Sequence, residues 1–462
     1  MKKTNKKKND FNIKKLFQNN YFVMFIMFLV SLVTMVFLNI GIVKATYLFA
    51  EDGKIFLNQY LELGLGSLFK TYGGYFNLLS RLFALISVTL AKIFNSVYVL
   101  ANMQKILAML FSSFVCAYFV SNEFEGIIKS RKVRMIISFL SLILISNFAW
   151  LLYNGVSIHW WCGILLFLVS LNILDNKLPS YKILPILVVC ILSSPSGLII
   201  AFSLLYYILK KINWHHPFQN LFKNYQKDEI IKIIILVLAL ALQSYAILFI
   251  TDVDTITSPS LGFSQLKSLL YYSYLLTVSS INFIFGTNNY LSLSNANLAT
   301  VVGLIFWLII IYNAEKQDKI KYVFFCLGSI FFLYFMINFK KEDFIGYYHE
   351  MISTSYQVWY HSLPALIAFY AVVISLYREN KSSINYLYYS ILFIAFVSLW
   401  HTVNHPELET AKELASVADY VDYKSNKYAY VHISPDFLDW YVTIPVNDSY
   451  CEVNDCGSTI QK

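Results

Sequence analysis

The stretch Tyr21–Val43, YFVMFIMFLVSLVTMVFLNIGIV, carries no charged residue. It is long enough to cross a bilayer, since a spanning helix needs about 20 apolar residues. Lys2, Lys3, Lys6, Lys7, Lys8, Lys14 and Lys15 precede it. Basic flanks stay cytoplasmic, so this helix is expected to run from inside to outside. The run is too long for the apolar part of a signal peptide, and only Gly41 and Ala45 near its end suggest a cleavage site. It reads as a retained span.

The same texture recurs along the chain. Charged residues make up 14% and hydrophobic residues 58%, against roughly 25% charged in soluble domains. Further spanning candidates are Tyr75–Ile93, Leu100–Val120, Met135–Tyr153, Trp160–Leu174, Ile183–Leu192 with Gly197–Leu209, Ile233–Ile250, Ala296–Tyr312, Tyr322–Ile337, Leu363–Tyr377 and Tyr386–Trp400. Leu266–Phe285 is apolar but rich in Ser and Tyr, and either spans or lies in the interface. The fold class is an all-α polytopic helical bundle of about 11–13 membrane elements in the plasma (inner) membrane. Residues 1–20 form a basic cytoplasmic N-terminus, 21–401 the membrane domain and 402–462 a small extracytoplasmic tail.

Loop charges orient these spans. Lys129, Arg131, Lys132 and Arg134 mark one inside loop. Lys210, Lys211, Lys223, Lys227 and Lys232 mark a second; Lys316, Lys319 and Lys321 a third; Arg378 and Lys381 a fourth. Residues 154–159, 193–196, 251–295 and 339–362, with the tail after His401, then fall outside. The net charge of +9 is read as this topology, beside anionic headgroups, and no nucleic-acid motif accompanies it. One conflict remains: the chain must cross an odd number of times between Asp52 and Arg131, yet two candidates lie there. The region around Ala91–Leu100 is suspected of being re-entrant or interfacial.

Cys116, Cys162, Cys190 and Cys326 lie in apolar segments and read as buried small hydrophobes. Cys451 and Cys456 in the tail either form a disulfide or stay as free thiols. The tail also holds an acidic-basic amphipathic stretch, Pro406–Tyr423, and strand-like runs at Tyr428–Ile433 and Trp440–Ile444. It is too short for a sizeable core of its own and is expected to pack as a lid over the outer mouth.

Chemistry concentrates in the first outer loop, residues 44–80. Glu51-Asp52-Gly53 follow the first span, where ionisable groups are costly unless they meet water or a partner. Ile55, Phe56, Tyr60, Leu61, Leu63 and Leu65 outline an amphipathic helix in the interface. Thr71-Tyr72-Gly73-Gly74-Tyr75 form an aromatic turn, and Arg81 sits at the mouth of the next helix. A carboxylate can take a proton from a hydroxyl, an arginine can clasp a phosphate, and tyrosines can line a sugar. The plainer alternative makes Glu51 and Asp52 helix caps and Arg81 a snorkelling helix-end residue.

The arrangement resembles the GT-C superfamily of membrane glycosyltransferases, which take sugars from polyprenyl-phosphate carriers. The likeness rests on Ala50-Glu51-Asp52-Gly53-Lys54-Ile55-Phe56, Tyr72-Gly73-Gly74-Tyr75 and Arg81, and more weakly on Asn154-Gly155-Val156-Ser157-Ile158-His159-Trp160. Many members separate their acidic residues by one position, whereas here they are adjacent. The resemblance implies a polyprenyl-phosphate sugar donor, a glycan, lipid or protein acceptor, transfer with inversion, and Asp52 as catalytic base with Glu51 as its neighbour or substitute. Tyr72, Tyr75, Arg81, His159, Lys340, Lys341, His349 and His361 are the candidate substrate-binding residues. Trp160 and Trp161 beside His159 also suit an interface belt. Glu342, Asp343 and Glu350 share the loop of Lys340 and Lys341, which also fits a plain solvated loop. Asp252 and Asp254 are candidates for a divalent cation, Mg2+ or Mn2+. A polysaccharide polymerase or ligase, or a lipid or solute transporter, are the competing functions.

Overall fold

In the computed structural model the described residues are 19–38, 40–44, 48–49, 51–94, 96–146, 153–211, 225–250, 263–285, 296–339, 361–378, 418–423, 426–434 and 440–445. The helices are α1 (Asn20–Leu38), α2 (Ile40–Lys44), α3 (Asn58–Leu63), α4 (Leu78–Phe94), α5 (Val97–Phe119), α6 (Arg131–Ser146) and α7 (Ile158–Leu174). They continue as α8 (Leu184–Ile191), α9 (Ile199–Lys211), α10 (Lys227–Phe249), α11 (Phe263–Ser279), α12 (Ala296–Glu315), α13 (Ile320–Phe339) and α14 (Ser362–Leu376). Four are long and apolar enough to cross a membrane over Asn20–Leu38, Tyr98–Phe119, Lys227–Phe249 and Ile320–Ile337. The pair Leu184–Ile191 and Pro195–Lys211, bent by 120° at the serine-rich break, makes a fifth if counted as one span. Ile158–Leu174, Thr300–Glu315 and Ser362–Leu376 are shorter apolar helices. α7 and α14 are buried along nearly their whole length and form the centre of the bundle.

Hydrogen bonds between distant segments sort the bundle into two ends. At one end the Asn122 amide donates to Asn20 Oδ1 and the Ser130 amide to the Tyr377 hydroxyl. Lys319 Nζ reaches the Tyr377 carbonyl and Lys321 Nζ the Leu174 carbonyl. Lys182 Nζ reaches the Tyr21 hydroxyl, and the Tyr181 hydroxyl the Asp228 carbonyl, beside the Lys211–Glu229 ion pair. At the other end Tyr153 donates to the Met35 carbonyl, Asp52 and Ser80 both bond to Gly155, and Ser193 Oγ accepts from the Leu79 amide. The basic loops that the charge pattern grouped together therefore do share one end.

This sorting resolves the crossing conflict. Ser80, in the first turn of α4, bonds to Gly155, and Gln104 of α5 also lies against Gly155. Both helices therefore begin at the Asp52 end. α5 runs from there to Asn122, antiparallel to α1, while α4 does not cross. The expected span Tyr75–Ile93 is thus corrected: it packs beside the site, with Ala84 and Val88 against Phe56, Leu57, Leu100 and Ala101.

The chain is not wholly helical. β1 (Leu48–Phe49), β4 (Ala418–Tyr423), β5 (Asn426–Ser434) and β6 (Trp440–Pro445) form one sheet, and β2 (Thr71–Tyr72) pairs with β3 (Tyr75–Phe76). β5 is antiparallel to β4 and β6 and parallel to β1, with Leu48 opposite Ile433. The expected strands in the tail are present, and part of the Pro406–Tyr423 stretch is strand β4. Through β1 the tail pairs with the chain just before Glu51.

Candidate functional site

Glu51 and Asp52 enter a turn of π-helix, Asp52–Leu57, which continues as α3 and a 3-10 segment, Gly64–Phe69. A π-turn widens the helix and occurs often at functional sites. Phe56 and Leu57 face inward, whereas Leu65 and Phe69 are 66% and 79% exposed, as suits an apolar face lying in the interface. The helix-cap alternative is not what the side chains do. No side chain caps the π-turn. Instead Asp52 Oδ2 accepts a bond from the Gly155 amide at 2.7 Å, across 103 residues.

Asp52 is 1% exposed, and its other oxygen, Oδ1, has no hydrogen-bond partner among the described residues. Burial pushes its carboxyl well above the ordinary aspartate value. The Gly155 amide pulls it back, the Glu51 charge raises it further, and the Val156 amide lowers it. The adjacent Glu51 points elsewhere, towards the Tyr72 hydroxyl at 3.5 Å. Burial raises its carboxyl too, against its own backbone amide and Tyr72. The two acids therefore have separate environments, as adjacent side chains on a turning backbone should.

The aromatic turn is a β-hairpin. Gly73 and Gly74 have φ of 65° and 74°, the left-handed pair that a tight two-residue hairpin requires. Asn77 Nδ2 donates to the carbonyls of Tyr72 and Tyr75. Gln243 of α10 holds Phe76 through its amide and carbonyl. The hairpin thus places Tyr72 beside Glu51 and Tyr75 beside His159, with ring centroids 6.5 Å apart in the latter pair.

Arg81 was expected at a helix mouth, either clasping phosphate or snorkelling. It is fully buried. Nη1 donates to Gln59 Oε1 at 2.6 Å, Nη2 to the Thr71 carbonyl at 3.3 Å, and the guanidinium lies 5.3 Å from the centre of the Phe56 ring. It ties α3, the hairpin and α4 together. His159 is half-buried; its Nδ1–H donates to the Val156 carbonyl at 2.5 Å, and its ring lies 4.7 Å from that of Trp160. Trp160 and Trp161 are buried rather than forming an interface belt. His361 is buried and bonded to the Tyr334 hydroxyl at 2.7 Å. Cys116, Cys162, Cys190 and Cys326 are buried free thiols.

The structure therefore brings Glu51, Asp52, Tyr72, Tyr75, Arg81 and His159 into one neighbourhood, through the contact of Asp52 with Gly155. Lys340, Lys341, His349, Asp252, Asp254, Cys451 and Cys456 lie outside the described residues. Among the described residues no group of three His, Cys, Asp or Glu side chains is placed to hold a metal ion. Gln104 escaped the sequence reading. It is 3% exposed, and both ends of its carboxamide lack a partner among the described residues. The available signal was Asn102, Gln104 and Lys105 inside a spanning stretch, where polar groups are costly and usually functional. No family model, curated protein or solved structure matches this chain.

Proposed function

We propose that this chain is a GT-C-like membrane glycosyltransferase, acting on the extracytoplasmic side with its N-terminus in the cytoplasm and its tail outside. A polyprenyl-phosphate sugar would be the donor, and a cell-surface glycan, lipid or protein the acceptor. The observation that carries the reading is Asp52: a buried carboxylate, fixed through one oxygen by Gly155, with no partner for the other among the described residues. A purely structural buried acid is normally bonded through both oxygens. A raised pKa suits a general base, which works best when poised near the operating pH.

In the reaction, Asp52 takes the proton of an acceptor hydroxyl. That oxygen attacks the anomeric carbon as its bond to the phosphate oxygen breaks, and the lipid phosphate leaves with the electron pair and the configuration inverts. Tyr72 and Tyr75 offer rings and hydroxyls to a sugar. Arg81 acts as a positioning residue for the hairpin, and Lys340 and Lys341 are the candidates for the leaving phosphate.

The test is the envelope glycan of source cells lacking the native gene and complemented with the wild type or Asp52→Asn. Loss of a sugar in the deletion, restored by the wild type and not by the variant, is expected. Full restoration by Asp52→Asn would remove the enzyme reading. It would also advance a transporter, which the bent pair α8–α9 favours, since broken helices mark transport sites. The break at Ser193, Ser194, Pro195 and Ser196 carries no ionisable side chain.

A further inference from the structure

We infer that Asp52, Gly155 and Gln104 form a niche for one hydroxyl group, with Gln104 as a substrate-binding residue that holds the acceptor hydroxyl against Asp52. The inference rests on the reading of Asp52 as a base and names the neighbour that presents its proton.

Three chain segments converge there: the π-turn, α5, and the loop before α7. A Cβ built on Gly155 would stand 2.6 Å from Gln104 Oε1 and 2.9 Å from Asp52 Oδ1. Both side chains therefore close on the same Cα, and only glycine lets them approach it. The loop itself is pinned from both sides. Its amide donates to Asp52 Oδ2 at 2.7 Å, and its carbonyl accepts from Ser80 Oγ at 2.9 Å. Every polar atom of Gly155 is thus used, while three polar atoms around it have no partner among the described residues: Asp52 Oδ1, Gln104 Oε1 and Gln104 Nε2.

Buried polar atoms without partners are rare and call for a cause. The chemistry of these three selects the ligand. A carboxylate oxygen only accepts, whereas a carboxamide donates at one end and accepts at the other. A hydroxyl does both with one oxygen. It can donate its proton to Asp52 Oδ1 while accepting from Gln104 Nε2, which is the geometry a base needs before proton transfer. A phosphate fits poorly, since Asp52 would repel it. A metal ion would suit two oxygens but leave Nε2 unused.

The test uses Gln104→Leu and Gln104→Asn in the full-length protein, assayed by envelope glycan in complemented cells. The purified chain in nanodiscs reports folding through its thermal midpoint. Gln104→Leu should melt no lower than the wild type, because it buries carbon in place of unpaired polar atoms, yet lose at least about tenfold in transfer. Gln104→Asn, one methylene shorter, should retain an intermediate level. Should Gln104→Leu misfold, Gln104→Asn alone decides: wild-type transfer by it overturns the inference. Wild-type transfer by a folded Gln104→Leu also overturns it, and the base reading survives if Asp52→Asn is inactive. If Asp52→Asn transfers normally, the base reading itself falls. Mg2+ alone provides the last arm: a rise in the wild-type midpoint that Gln104→Leu abolishes would replace the hydroxyl with a cation.

Discussion

Two buried charges sit at opposite ends of α5 and are treated differently. Arg134, fully buried at the basic end, donates Nη1 to the carbonyls of Ile128 and Lys129 and Nε to that of Val120, with Glu125 3.7 Å from Nη2. Asp52, about 24 Å away along the helix axis as counted from Gln104 to Val120, receives the Gly155 amide and keeps one oxygen open. A charge taken from water is normally compensated by partners; Arg134 has three carbonyls and the Glu125 carboxylate around it, and its Nη2 alone makes no hydrogen bond among the described residues. The end that leaves one carboxylate oxygen, and the carboxamide beside it, without partners among the described residues gives up stability there. Such local sacrifice is what substrate-binding sites require.

The largest expected effect breaks the comparison at Asp52. Asp52→Asn keeps an oxygen for the Gly155 amide but cannot accept a proton at neutral pH. Transfer should fall by about 10²–10⁴-fold, the usual share of general-base catalysis. The wild-type rate should also fall with acidification, through a pKa lying above the ordinary carboxylate range, because burial raises it. Stability carries the opposite sign. The folded state binds the Asp52 proton more tightly than the unfolded chain, so the cost of its charge is absent below the unfolded pKa and grows as pH rises through the folded one. Asp52→Asn should therefore melt higher than wild type at about pH 8, and the gap should close towards about pH 4. A variant that melts lower at the higher pH would make Asp52 a structural residue.

Arg134 provides the contrast. Arg134→Leu leaves the carbonyls of Val120 and Ile128 without their donor, and each buried acceptor left unsatisfied costs about 1–3 kcal/mol. Membrane-inserted yield and thermal midpoint should drop. Transfer per folded molecule should stay near the wild type. A selective loss of transfer in folded protein would mean that the basic end is also part of the site.

The two ends were not equally legible in the sequence. The basic end was, because lysines and arginines in short loops report topology directly, and Lys129, Lys211, Lys319 and Lys321 do gather there. The amphipathic run after Asp52 and the strands at Tyr428 and Trp440 were legible from period and residue type. α4 was misread because its apolar content matches a span; only its neighbours Gly155 and α5 reveal that it stays at one end. Glu51 and Asp52 stood out as acids at a membrane surface, but their separation of duties depends on Tyr72 and on Gly155, 103 residues away. Arg81 does lie at the start of a helix, as the sequence suggests, but its burial was not legible, because a sequence does not show the Gln59 and Thr71 that enclose it. Gln104 is uncharged and sits within an apolar run, so it drew no attention.

Gly155→Ala sharpens the comparison without replacing any titratable group. The added methyl would press on Gln104 Oε1 and Asp52 Oδ1, both closer than 3.0 Å to it, and must push one of them aside. Overpacking of this kind costs about 1–3 kcal/mol. A displacement of about 1 Å in a reacting group can cost up to about 10²-fold in rate. Transfer should therefore fall more than the midpoint does, and mass profiles of the envelope glycan beside melting curves will show whether it does.

Arg81→Lys should have the smallest effect, and its pattern separates two roles for one residue. The guanidinium serves Gln59 and Thr71 together and lies against Phe56. An ammonium cannot reproduce that planar fork. One charge-assisted bond is then lost, worth about 1.5–3 kcal/mol, and the hairpin carrying Tyr72 and Tyr75 loosens. As a positioning residue, Arg81 predicts a lower midpoint and a few-fold slower transfer, with affinity for free polyprenyl phosphate unchanged. As a phosphate clamp it predicts the reverse: an unchanged midpoint and weakened polyprenyl phosphate binding. Burial of the side chain favours the first outcome, because a group enclosed by Gln59, Thr71 and Phe56 would have to leave them to reach a lipid phosphate. A titration of the purified variant with polyprenyl phosphate in nanodiscs, run beside its melting curve, decides between them.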